Sequence, residues 1–198
     1  MSEARAIVEK LNEEGLAARA HFQIWWALRH LALPDFYDAM NDYSYVNFFH
    51  ASNAGHYKLF FLALSKIFDR DARTSGISNL REALRREGHS SIADQLDKRL
   101  APLTACVVRL TAIRNQTIVH NDRSLSREKV YEINGITPDQ IRDLINNTCA
   151  TINEVARGLG LTEALFDDHY DKATIAMLEI LRGGKTQHRT GADGKVSP

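Results

Sequence analysis

Arg114, Asn115 and His120 are three side chains whose types suit work on a phosphate ester. A guanidinium stays charged at any cellular pH and can grip a phosphate through two N–H groups. An imidazole titrates near pH 6.5, at about the value where it can either take or give a proton. An amide beside them can position the phosphate or fix the orientation of the ring. Chemistry of this kind needs no metal: the histidine moves the proton and the arginine meets the charge that develops on the phosphoryl oxygens.

The segment that carries them reads as a helix. Leu96, Leu100, Leu103, Val107 and Leu110 follow a four-three rhythm, with Cys106, Ile113 and Thr117 widening the stripe. That spacing predicts one buried face. The next step of the rhythm is Arg114, which falls about 40° to one side of Leu110 on a regular helix, while His120 falls about 80° to the other. A guanidinium beside a buried face needs partners, because an unpaired buried charge is expensive. Two arrangements satisfy it. In one, Arg114 pairs with a core carboxylate such as Asp69 and His120 hydrogen-bonds near the helix end. In the other, the face meets its own copy in a homodimer, and two Arg/His pairs line a cleft on the two-fold axis.

The run Arg114-Asn115-Gln116-Thr117-Ile118-Val119-His120, followed by Asn121-Asp122, resembles the motif of HEPN domains: an arginine, a polar neighbour and a histidine after a short gap. Upstream, Leu64-Ser65-Lys66-Ile67-Phe68-Asp69-Arg70 and Gly76-Ile77-Ser78-Asn79-Leu80 resemble the AbiU-type abortive-infection subgroup. The resemblance runs from the first long helix to about Arg182. It implies an all-α, HEPN-like helical bundle with two or three long antiparallel helices plus shorter C-terminal helices. It implies a metal-independent endoribonuclease of a prokaryotic toxin–antitoxin or anti-phage defence type, with no cofactor. Arg114, Asn115 and His120 would be catalytic, with one site drawing on both chains of a homodimer. The alternative that the resemblance also implies is a non-catalytic binding or assembly module contacting a protein, such as an antitoxin or a nucleotidyltransferase.

Other residues enter as supports or rivals. Asp122 can orient the imidazole, although an Asp there is commonly a turn residue. Arg123, Arg127 and Lys129 follow the motif, and Arg81, Arg85 and Arg86 form a second basic cluster. Either group can guide RNA, and the plainer reading of each is a solvated charge. His50, His56 and Tyr57 lie among aromatics and read as core. Asp167, Asp168, His169 and Asp171 lack the Glu-x-x-His spacing of helical di-iron sites, and no metal is expected. Trp25 and Trp26 cannot share one side of a helix, so one is expected in the core and the other against a partner.

The elements that must position these residues follow from punctuation. A first helix is expected from about Ser2 to Leu33, weakened at Gly15 and stopped by Pro34. A second, aromatic-rich region spans about Asp35 to Asp69, with a restart at Ser44. A short helix capped by Ser78 ends at Gly88. The motif helix starts at Ser90 or Ser91, is interrupted at Pro102 and runs to about His120. Asn121 to Gly135 is a connector. Thr137, Pro138 and Gln140 form a capping-box start, for a helix ending near Gly158. Thr162 is expected to cap a last helix ending at Gly183-Gly184. Residues 1–182 are expected as a single domain and 183–198 as a flexible tail.

The whole chain bounds these readings. It has 198 residues, 44% hydrophobic, with 25 Lys plus Arg against 25 Asp plus Glu. A general polyanion binder would usually be basic, so RNA must be met by a local patch or presented by a partner. The two cysteines, Cys106 and Cys149, lack metal-ligand spacing and read as reduced core residues, which with the absence of a signal-like start or apolar span predicts a cytoplasmic protein that no membrane holds.

Overall fold

The computed structural model describes residues 2–33, 35–115, 134–167 and 169–192, with side chains through residue 183. The described residues form helices and connecting turns, with no strand among them. They divide into two compact units. Unit 1 comprises Met1–Arg19 and Lys58–Phe166, and unit 2 comprises Ala20–Tyr57 and Asp167–Pro198. Among the described residues, no helix is long and apolar enough to cross a membrane.

Helix α1 covers Glu3–Trp26. It passes through Gly15 without a break, and the reason for a glycine there is packing. A Cβ at that position would stand 3.1 Å from the Phe166 ring and 3.3 Å from Cys149 Sγ. After Trp26 the backbone widens into a π-type turn, Ala27–Leu31, closed by Ala32 N–H donating to the Ala27 carbonyl at 2.8 Å. The stop assigned to Pro34 lies outside the described residues. The aromatic region is a short helix α2, Tyr37–Met40, and a long helix α3, Val46–Ile67. The restart expected at Ser44 is real: Ser44 N–H donates to Asp42 Oδ1, and α3 begins two residues later.

Helix α4, Ile77–Arg86, starts one residue before the expected cap. Gly76, not Ser78, occupies the cap position. Helix α5, Ser90–Leu100, a 3-10 turn at Ala101–Leu103 and helix α6, Thr104–Ile113, make up the motif region. Pro102 sits in the 3-10 turn, where its missing N–H costs no helical hydrogen bond. Helix α7, Pro138–Gly158, begins with the expected capping box: Thr137 Oγ1 accepts from Gln140 N–H and Thr137 N–H donates to Gln140 Oε1. Ile141, Leu144, Ile145, Cys149, Ile152 and Val155 form its buried face. Each such aliphatic side chain contributes about 1.5–3 kcal/mol when fully buried.

Thr162 does not cap the last helix. Helix α8 covers Tyr170–Ala192 and passes through Gly183 and Gly184. The segment between α7 and α8 is held out of helix by Asn153, which pairs with Ala164 on both sides of its amide. Nδ2 donates to the Ala164 carbonyl and Oδ1 accepts from the Ala164 N–H, each at 2.9 Å. Arg157 also holds Glu163 through two contacts of 2.8 Å. Helix α7 has 21 residues and α8 has 23.

Each unit has its own buried side chains. In unit 1 they include Leu11, Leu64, Ile67, Leu80, Leu96, Leu110, Ile113 and Leu144. In unit 2, Leu28, Ala32, Phe36, Met40, Phe49 and Leu178 form one cluster.

Candidate functional site

Arg114 and Asn115 sit where α6 runs out. The helical path continues through both, in wider π-type turns, and Arg114 N–H donates to the carbonyls of Leu110 and Thr111. Leu110 and Ile113 are fully buried and fix this end of α6 in unit 1. Leu103, Cys106 and Val107, the earlier part of the stripe, are only half-buried, because the 3-10 turn resets the helical phase after Leu100.

Arg114 is half-buried, and its Nε donates to Asn115 Oδ1 at 2.9 Å. The neighbouring amide therefore orients the guanidinium, and among the described residues no carboxylate pairs with it. Asp69 is not the partner. Its Oδ1 accepts from the Asp71 N–H at 3.1 Å, within its own loop, and among the described residues no ion pair joins it to Arg114. His120, Asp122, Arg123, Arg127 and Lys129 lie outside the described residues, as does Thr117. The structure thus brings Arg114 and Asn115 together and shows Asp69 engaged elsewhere.

The segment around Asp69 has its own logic. Asp71 accepts from Arg73 N–H and ion-pairs with its guanidinium, which holds the Asp71 carboxyl below the usual carboxylate range. Asn79, on α4, reaches back and donates Nδ2 to the carbonyls of Asp71 and Thr74, at 2.8 and 2.6 Å. Gly76 lies so close to Asp69 that a Cβ there would collide with the Asp69 carbonyl oxygen. Asp69, Gly76 and Asn79 are thus fasteners of one tight loop.

The second basic cluster is neutralised. Arg81 hydrogen-bonds Asp97, Arg85 contacts Asp97 at 3.0 Å and Asp94 at 3.3 Å, and Arg86 contacts Glu3 at 2.9 Å. Each of these arginines faces a carboxylate rather than standing as an unpaired solvated charge.

In unit 2, the sequence missed a pairing. His21 on α1 and His56 on α3 meet Nδ1 to Nδ1 at 2.9 Å, with ring centroids 5.0 Å apart. Burial pushes both rings below the usual imidazole range, and His21 lowers His56 further. Nothing in the spacing of two histidines on separate helices announces such a contact. Trp25 is buried and Trp26 half-buried, stacked on the exposed His30 at 4.0 Å. Both cysteines are free, with Cys149 buried and Cys106 only half-buried. Among the described residues no group of His, Cys, Asp and Glu is placed to hold a metal.

The sequence profile of the HEPN AbiU2 family matches residues 1–176. The chain belongs to that family. Nearly the whole described fold lies within the match, including the Asp69–Asn79 loop, Arg114 and Asn115. This is an all-α, abortive-infection-related HEPN domain. No curated protein and no solved structure matches it.

Proposed function

We propose that this HEPN AbiU2 domain is a metal-independent endoribonuclease, with Arg114, Asn115 and His120 as its catalytic residues. The observation that carries the reading is the Arg114–Asn115 hydrogen bond, which aims a half-buried guanidinium that no carboxylate among the described residues pairs with. Membership of an abortive-infection family supports the defence context.

The chemistry follows from the residue types. The ribose 2′-hydroxyl attacks the adjacent phosphorus as His120 takes or relays its proton. The bond to the leaving 5′-oxygen breaks, that oxygen is protonated, and a 2′,3′-cyclic phosphate remains. Arg114 meets the charge on the non-bridging oxygens, with Asn115 holding its plane. Such preorganised donors act most strongly where charge develops in the transition state. Asp122 orients the imidazole, and Arg123, Arg127 and Lys129 lead RNA to the site. Two copies of the chain complete one cleft, and the protein works in the cytoplasm.

A second reading has specific support. The net charge is zero and Arg81, Arg85 and Arg86 are all paired with carboxylates, which suits a module that binds an antitoxin or a nucleotidyltransferase rather than RNA. Mixing Arg114→Ala with His120→Ala separates the readings. If one cleft draws on both chains, the mixture recovers cleavage that neither variant has alone. Cleavage by each variant alone at the wild-type rate would discard the catalytic reading.

A further inference from the structure

We propose that unit 2 binds a small hydrophobic monocarboxylate in the cavity beside His56, with the His21–His56 pair supplying a single positive charge to its carboxylate. The cavity measures about 280 Å³ and lies among α1, α3 and α8. Its wall is mostly apolar, with Ile24, Leu28, Phe48, Phe49 and Met177 on it, and Ser52 and His56 form a polar edge. Phe48 and Met177 are 61% and 41% exposed, so the apolar wall continues out to solvent. This volume sits just under that of pockets taking drug-sized ligands, which limits the guest to on the order of ten non-hydrogen atoms.

The imidazole contact determines what charge the guest can carry. In a hydrogen bond between two Nδ1 atoms, one ring donates Nδ1–H and the other accepts with its lone pair. One added proton goes to the Nε2 of the donor ring, and the contact survives as a charge-assisted bond. A second would have to enter at the accepting Nδ1, placing two N–H groups face to face at 2.9 Å. The pair therefore holds no charge or one charge, never two. In the singly charged state both Nε2 atoms bear hydrogens, so His56 is a donor whichever ring holds the charge. Among the described residues, Tyr170, from α8, is the other titratable group on the cavity wall, and no carboxylate, lysine or arginine lines it. Burial keeps the empty pair neutral near pH 7. A carboxylate entering this apolar surrounding stabilises the charged state and draws in one proton as it binds.

Octanoate, with octanol as its uncharged counterpart, is the probe. Isothermal titration of the full chain in two buffers of different ionisation heat reads both affinity and proton uptake. The expected result is uptake of one proton per octanoate and an affinity that weakens about tenfold per pH unit above neutrality. Octanol should bind with no such dependence. His56→Gln, which removes the imidazole on the cavity wall, should abolish the proton uptake while leaving octanol binding intact, which also shows that the cavity is still formed. An octanoate affinity that does not change with pH, an unchanged proton uptake in His56→Gln, or no saturable octanoate binding by folded wild-type protein at millimolar concentration would each overturn the proposal. A guest that is instead an apolar side chain of a partner protein belongs with that last outcome.

Discussion

Asn79 is the most exacting place to test how the loop before α4 is held. Its amide nitrogen donates to two backbone carbonyls, Asp71 at 2.8 Å and Thr74 at 2.6 Å. Both acceptors are carbonyl oxygens, so the amide can stand only one way round. Asn79→Ala removes both bonds in a partly exposed setting, where a net hydrogen bond contributes about 1 kcal/mol, giving a loss of about 2 kcal/mol. Asn79→Asp is close in size but sets a carboxylate oxygen against the same two carbonyls. Its loss should exceed that of the alanine variant, reaching about 3 kcal/mol or more at neutral pH, because a lost bond is joined by repulsion of a charge. Urea unfolding followed by far-ultraviolet circular dichroism measures both, and an unchanged denaturant slope would show that the native state is intact. An alanine variant within about 0.5 kcal/mol of wild type, the usual range for a surface change, would refute the reasoning. So would an aspartate variant milder than the alanine one.

The remaining predictions concern titratable groups. Burial pushes the Cys149 thiol up to about 12, while the half-buried Cys106 is raised less. A thiol reagent should modify Cys106 in the native protein and reach Cys149 only on unfolding, and equal native rates for the two would contradict this. His21 and His56 lie below the ordinary value of 6.5 when folded, so the unfolded chain binds more protons just beneath that value. Their contribution to stability is fully present above 6.5 and is lost as pH falls from there through the folded values. His21→Gln should flatten the decline in unfolding free energy on acidification, and an equally steep decline in that variant would count against the pairing.

Local signals were legible where one residue dominates its surroundings. Thr137 with Pro138 and Gln140 announced the start of α7, Gly88 followed the end of α4, and Pro102 broke the motif helix. Each acts through the backbone within one turn, and no distant partner is required. Thr162 looks like a cap, yet Asn153 holds Ala164 outside any helix from a distance of eleven residues along the chain. Gly183 and Gly184 look like a stop, but a helical glycine costs only about 1 kcal/mol, which the rest of a long helix can absorb. At the candidate site, the adjacency of Arg114 and Asn115 was readable, and the bond between them was not. Asp69 was a reasonable partner by type. Its carboxylate instead closes a loop whose geometry depends on Gly76 and Asn79 together.

In the proposed reaction, Arg114 and His120 cleave RNA without a metal. Total cellular RNA incubated in EDTA with wild-type protein, Arg114→Ala and His120→Ala, with analysis of the fragment ends, tests it most directly. Wild-type protein is expected to leave fragments ending in 2′,3′-cyclic phosphates. Each variant is expected to lose about 10²–10³ or more in rate, the scale on which a preorganised transition-state group acts. Cleavage by both variants at the wild-type rate, or none by folded wild-type protein, would contradict it.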